Sequence, residues 1–388
     1  MEKLTPVQFL ESIVKLDSMN PPGNEQPVAE QVKRLLDSHG LENELFPFED
    51  NRANLVGWLR GEGDTNDPNR KVLGLSGHMD TVPIGEVEWD HDPFGAHQVD
   101  GKMYGRGTCD MKGGLTALLY AMIELKNEGV KLNGDVKLLA CAGEEAGAVG
   151  AKRLYAEGQM KDVDALIIAE PTNNDVCISE KGVLWLEITT YGKTAHGSTP
   201  QFGVNAINHM HHLLSALYDN FEMDVEEDWL LGKPTYNVSV IKGGVGTNVV
   251  PDQCTVQVDI RTIPGQSHDD IFAEINQIFN DAKSGVEDLN FEMTRINDLR
   301  SVETTPDDAF VQLFKEEATE FHGEEKPYKG MIPYTDGAAL IAEDDNVPLI
   351  IYGSADTKLA HQPNEYIEIE PFLQSIELYK RVIKKYLA

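Results

Sequence analysis

Ser76-Gly77-His78-Met79-Asp80-Thr81-Val82-Pro83 closes the short apolar run of residues 71–76. A run of that length and character reads as a buried strand, so His78 and Asp80 fall just past its carboxyl end. Residues 135–142 and 164–169 are runs of the same kind, followed by Gly143-Glu144-Glu145 and Ala169-Glu170-Pro171-Thr172. Helical patterns at about 112–127 and 148–157 alternate with them. Such alternation builds an α/β sheet flanked by helices. Open sheets of this type carry their sites beyond the carboxyl ends of the strands, where His78, Glu144, Glu145 and Glu170 all fall.

Toward the amino terminus, Thr5 before Pro6 reads as an N-cap with proline at the first helical position. Phe9, Leu10, Ile13, Val14 and Leu16 then recur at helical spacing. A second helix is predicted from about residue 25, carrying Val28, Val32, Leu35 and Leu36 and ending near His39-Gly40. Residues 61–69, rich in Gly, Asp and Asn, read as a surface loop.

After residue 181 the pattern changes. Strands are expected at 183–191, 236–242, 255–263 and 289–295, with helices at 204–218 and 269–279. That β-α-β-β-α-β order is the split, ferredoxin-like α+β unit. Helix and strand signals resume at 310–321 and 348–352, before the motif Ala360-His361-Gln362-Pro363-Asn364-Glu365. The expected organisation is therefore a catalytic domain from 1–181 and 297–388, with 182–296 inserted as a second domain.

With 388 residues, more than one core is expected. A net charge of −32 excludes a phosphate backbone or an anionic membrane as partner, because both would be repelled. The four cysteines, Cys109, Cys141, Cys177 and Cys254, show no paired spacing and read as free thiols. Residues 1–6 begin an amphipathic helix without an apolar leader, and no run is long enough to span a bilayer. The expected compartment is the cytoplasm.

Two histidines and four carboxylates mark the quoted motifs: His78, His361, Asp110, Glu144, Glu145 and Glu170. This mixture of imidazole and carboxylate donors suits a zinc pair sharing one carboxylate, with a glutamate left over as base. Asp80 is placed to accept the second ring N–H of His78 and so fix its tautomer. Asp110, in Gly105-Arg106-Gly107-Thr108-Cys109-Asp110-Met111-Lys112-Gly113-Gly114, is either a helix cap or a carboxylate bridging two ions. Glu144 and Glu145 are either a solvated acidic pair or, following a buried strand, groups that a metal or proton must satisfy.

In this order and across nearly the whole chain, these motifs resemble the di-zinc metallopeptidase and deacylase family. That family includes acetylornithine deacetylase, succinyl-diaminopimelate desuccinylase, aminoacylase and carboxypeptidase G. The resemblance implies two Zn2+ per subunit, with Co2+ or Mn2+ as substitutes. It assigns His78 and Glu170 to one ion, Glu145 and His361 to the other, and Asp110 to both. It further implies Glu144 as general base, Asp80 as the residue orienting His78, and a cis peptide at Asp110-Met111.

In the inserted segment, Gly192-Lys193-Thr194-Ala195-His196-Gly197 resembles the family's lid and dimerisation domain, whose histidine crosses to a partner's site in a homodimer and stabilises the oxyanion. Asn248 and Arg261 match positions that read substrate in relatives, and arginine suits a bidentate grip on a carboxylate. The other reading of Arg261 is a structural ion pair with a neighbouring acid. Departures occur at Pro333-Tyr334-Thr335-Asp336-Gly337, where many relatives have Gly-Gly-Thr, and at Gly353-Ser354-Ala355, where others have Gly-Pro-Gly. By analogy Thr335 and Gly353 border the substrate pocket. The expected activity is removal of an acyl group from a small N-acyl amino acid or short peptide, N-succinyl-L,L-diaminopimelate foremost. Acetylornithine deacetylation or broader acyl-amino-acid and dipeptide hydrolysis is the alternative. A metal-binding regulator that has lost catalysis is the competitor from a different class.

Overall fold

The computed structural model describes residues 4–64, 67, 69–341 and 346–388. Residues 1–3 of the expected first helix and 65, 66 and 68 of the expected surface loop lie outside them. The chain divides into two compact units, Met1–Glu180 with Val302–Ala388, and Lys181–Ser301 between those segments in sequence.

Among the described residues, the first unit contains a nine-stranded mixed sheet. At its centre Asp135–Cys141, Val72–His78 and Ala165–Ile168 lie side by side and parallel, and Leu349–Ile351 extends the set. Both faces of these strands are covered, which is why they read as continuous apolar runs without alternation. Because the three central strands are parallel neighbours, their carboxyl ends open at one edge. The sheet thereby gathers the segments that carry His78, Glu144, Glu145 and Glu170.

Pro6–Val14 starts with a reciprocal cap: Gln8 N–H donates to Thr5 Oγ1, and Thr5 N–H donates to Gln8 Oε1. Helix Gly113–Glu128 is apolar on most of its surface and packs against the long helix Ile369–Tyr386. Phe372, Ile376, Tyr379 and Ile383 of the latter are buried, each contributing roughly 1.5–3 kcal/mol. This helix is absent from the elements expected from sequence, as is the antiparallel pair Glu42–Glu49 and Arg52–Leu59, joined at a tight turn where Asn51 has φ 61°.

The second unit is a four-stranded antiparallel sheet, ordered Thr235–Gly243, Gln253–Thr262, Gly182–Tyr191, Asn290–Leu299. Helices Ala206–Asn220 and His268–Ser284 join it in one core through Leu213, Leu217, Ile271, Ile275 and Phe279. This unit runs to Ser301, so the boundary expected at 296/297 falls inside its last strand. Pairing continues to Leu299 opposite Val183, through a register shift between Arg295 and Asn297. That bulge breaks the alternation and makes the strand look finished at residue 295.

Candidate metal centre

His78 is the last residue of its strand, and its side chain is buried. Its Nδ1–H donates to the backbone carbonyl of Asp80 at 3.0 Å, which leaves Nε2 with the lone pair a metal needs. Nε2 lies 3.1 Å from Asp110 Oδ1 and 3.5 Å from Glu170 Oε1. Asp110 presents its other oxygen, Oδ2, to His361 Nε2 at 3.2 Å, and that same nitrogen is 3.1 Å from Glu145 Oε1. One carboxylate therefore faces both imidazoles. Two donor sets result, His78 with Asp110 and Glu170, and Asp110 with Glu145 and His361. Glu144 also comes within ligand range of His78 and Glu145.

The electrostatics fit cations. Burial raises the Glu144, Glu145 and Glu170 carboxyls, and each is pushed further by neighbouring acids. Burial alone would keep His78 neutral, but Glu170, Asp110 and Asp80 outweigh it and raise the imidazole well above its ordinary value. His361 is pushed up to about 10 by its contacts with Asp110 and Glu145. Asp110, although buried, is held far below the usual carboxylate range by the two histidines. Nitrogen and oxygen donors converging on so much negative charge suit divalent ions of intermediate softness.

Asp80 does something the sequence did not reveal. Its carboxylate stands 3.5 Å from His78 Nδ1, so the ring is oriented by the Asp80 backbone. The carboxylate instead accepts N–H groups from Gly143 at 2.9 Å, Glu144 at 3.1 Å and Glu145 at 3.2 Å. Asn20 Nδ2 adds a fourth donor at 3.0 Å. The turn bearing Glu144 and Glu145 is thus seated on one buried acid. Gly143 has φ 74°, and a Cβ there would collide with the Arg52 guanidinium.

Arg106 and Glu365 sit inside the quoted motifs but were given no role from sequence. Glu365 Oε1 accepts N–H from Cys109 at 2.8 Å and Asp110 at 3.0 Å, while Oε2 takes Arg106 Nη1 at 2.6 Å. Arg106 also donates to the carbonyls of Pro83 and Gln362. This buried pair ties together the loops that follow His78, precede Asp110 and follow His361. At Gly114 any Cβ would overlap the Ala169 carbonyl, so glycine allows the helix start to reach the Glu170 loop. Tyr334 is another residue the sequence left without a role: its hydroxyl donates to the Glu144 carbonyl at 2.8 Å. Asp110-Met111 is a cis peptide.

The structure places Gly353 against the Glu170 backbone, where a Cβ would clash, with its N–H on Thr172 Oγ1 at 3.1 Å. Thr335 is fully buried, and its Oγ1 accepts the Gly337 N–H at 3.0 Å.

Within the second unit, His196 and Asn248 lie on joined loops, Gly197 N–H donating to the Asn248 carbonyl at 2.7 Å. Ser198 N–H donates to His196 Nδ1 at 3.2 Å, so the neutral ring carries its proton on Nε2 and can donate there. Arg261 Nε donates to Asp259 at 2.9 and 3.2 Å, and Asp259 also accepts Trp185 Nε1 at 2.9 Å. The neighbouring-acid ion pair is therefore present at Arg261.

Known proteins resemble this chain over most of its length. The model of peptidase family M20/M25/M40 matches residues 74–385. A probable succinyl-diaminopimelate desuccinylase of Staphylococcus aureus (strain MSSA476) is 33% identical, covering 98% of this chain and 97% of its own. Among solved structures, an M20 family metallo-carboxypeptidase, Sso-CP2 from Sulfolobus solfataricus, superposes with TM-score 0.80 at 21% identity, covering 99% of both chains. The YXEP protein of Bacillus subtilis, described as a dinuclear metal binding peptidase, superposes with TM-score 0.71 at 17% identity, covering 98% and 97%.

Proposed function

The chain belongs to peptidase family M20/M25/M40, and from that premise and the site's geometry we propose a two-zinc amidohydrolase that removes the acyl group from N-succinyl-L,L-diaminopimelate. The chain is a metal-dependent hydrolase acting on amide bonds. Among the described residues no helix is long and apolar enough to cross a membrane. The four cysteines are free and buried, which supports a cytoplasmic setting.

The observation that carries the reading is Asp110, whose two oxygens face His78 and His361 separately. His78, Asp110 and Glu170 would hold one ion, and Asp110, Glu145 and His361 the other. Zinc bound there supplies a Lewis acid for the amide carbonyl and lowers the pKa of water. Glu144 takes the proton from the attacking water and passes it to the leaving amine nitrogen as the C–N bond breaks. Glu144 is buried within ligand range of His78 and Glu145, beside both donor sets, as a base for water held there must be. His196, with its proton on Nε2, donates to the developing oxyanion; the family resemblance supplies it from a second copy in a homodimer. Asn248 would read the substrate's amide group, and Arg261 its carboxylate by exchanging Asp259 for substrate; by analogy Gly353 would border the pocket, with the buried Thr335 supporting it from behind.

The succinyl preference rests on the names of relatives that align over nearly the full chain. A kcat/KM panel of succinyl-diaminopimelate, acetylornithine, acetylmethionine and β-alanyl dipeptides, with and without chelator, tests it. Highest kcat/KM on the succinyl compound, abolished by chelator, is the expected result. A higher value on acetylornithine or a dipeptide overturns the substrate, and no hydrolysis of any member with metal restored overturns the enzyme reading in favour of a metal-binding regulator.

A further inference from the structure

We propose that Tyr334 is a positioning residue for Glu144, an inference that rests on Glu144 being the base. The short turn Glu144–Ala146 has glycine at each end, Gly143 at φ 74° and Gly147 at φ 96°. Glycines at both ends give such a turn little stiffness of its own, so contacts from outside decide where the carboxylate points.

Two side chains from distant parts of the chain supply those contacts. Asp80 Oδ1 accepts the Glu144 N–H at 3.1 Å, and the Tyr334 hydroxyl donates to the Glu144 carbonyl at 2.8 Å. Both backbone groups of the proposed base are thus held by side chains. The same carbonyl accepts N–H from Gly147 at 2.9 Å and Ala148 at 3.0 Å, so the Tyr334 contact bears on the whole turn. Tyr334 is itself anchored: it follows the strand Tyr328–Met331 and precedes Thr335 and Asp336, both buried. Its partner is a backbone carbonyl, which can only accept, so the phenol hydroxyl is the donor. It stands in Pro333-Tyr334-Thr335-Asp336-Gly337, the segment that by resemblance departs from the Gly-Gly-Thr of many family members.

Removing the hydroxyl frees one of the two contacts without emptying the space the ring fills. Misplacing a catalytic group by about 1 Å can cost on the order of 100-fold, so partial loss of positioning is expected to cost about tenfold in kcat. The test compares the zinc-loaded wild type, Tyr334→Phe and Glu144→Ala on N-succinyl-L,L-diaminopimelate, or on the fastest member of the panel above. It measures kcat, KM, metal content and the unfolding midpoint. The expected result is a roughly tenfold lower kcat for Tyr334→Phe with KM, metal content and midpoint unchanged. Wild-type kcat in Tyr334→Phe overturns the positioning role, as does a fall in kcat that tracks lost metal or a lowered midpoint. Those outcomes leave the base assignment standing. Wild-type kcat in Glu144→Ala instead overturns the base assignment, and this proposal with it.

Discussion

The carboxylate of Asp80 and the backbone N–H of Glu144 are hydrogen-bond partners at 3.1 Å, whereas the nearest ring nitrogen of His78 is 3.5 Å from that carboxylate. One buried acid therefore seats the turn that carries both the proposed base and a proposed ligand. The imidazole is oriented separately, by the Asp80 carbonyl.

Asp80→Ala should accordingly lower kcat by on the order of 100-fold while His78 keeps its metal. Leaving the Gly143, Glu144 and Glu145 amides unpaired should also destabilise the fold by about 1–3 kcal/mol per buried group. Kinetics, metal analysis and denaturant unfolding of one variant check all three. Loss of the His78 ion would show instead that the carboxylate acts through the imidazole.

Glu144→Ala is expected to abolish turnover with both ions retained, because a base need not be a ligand. Glu145→Ala should lose one ion, since it faces His361 at 3.1 Å. Native mass spectrometry of the two variants separates the roles. A Glu144 variant that loses metal yet remains active would reverse them.

The arrangement of the central strands was legible because buried parallel strands leave continuous apolar runs, and His78, Glu144, Glu145 and Glu170 follow directly from their ends. Asp110 and His361 were legible as residue types in glycine- and proline-marked loops. What could not be read is which oxygen meets which partner. Asp80 reads as a partner of the His78 ring because the two are close in sequence, and its carboxylate does lie 3.5 Å from that ring, yet the N–H groups it accepts lie sixty or more residues away. Glu365 and Arg106 are likewise joined by a contact spanning 259 residues. No local pattern encodes such pairings.

Glu365→Ala should strand the Arg106 guanidinium, which is 2% exposed, and cost about 3–5 kcal/mol of unfolding free energy. Glu365→Gln keeps an acceptor for the Cys109 and Asp110 amides and should cost less. Urea unfolding of the metal-free proteins measures both. Equal stability of Glu365→Ala and wild type would mean the pair does not hold the three loops together.

Asp298 gives the second unit an acid-sensitive element. Burial would raise its carboxyl, but His268 at 2.6 Å and Arg295 at 2.8 Å outweigh that and lower it. A carboxyl depressed in the folded state adds stability above its unfolded pKa of about 3.9 and loses it as pH falls through the folded value. Asp298→Asn should therefore be less stable than wild type at neutral pH and show a shallower loss below about pH 4. Parallel pH-dependent unfolding curves for the two proteins would contradict this.

The central claim is that Asp110 joins two metal positions into one centre, its oxygens 3.1 Å from His78 and 3.2 Å from His361. Equilibrium titration of the metal-free protein with Co2+, followed by absorption and by metal analysis, measures this directly in wild type and Asp110→Ala. The account predicts two ions per chain in wild type. In Asp110→Ala both positions should weaken together, with activity lost. A wild type that is fully active with a single ion, or an Asp110→Ala protein that still binds two ions tightly, would contradict it.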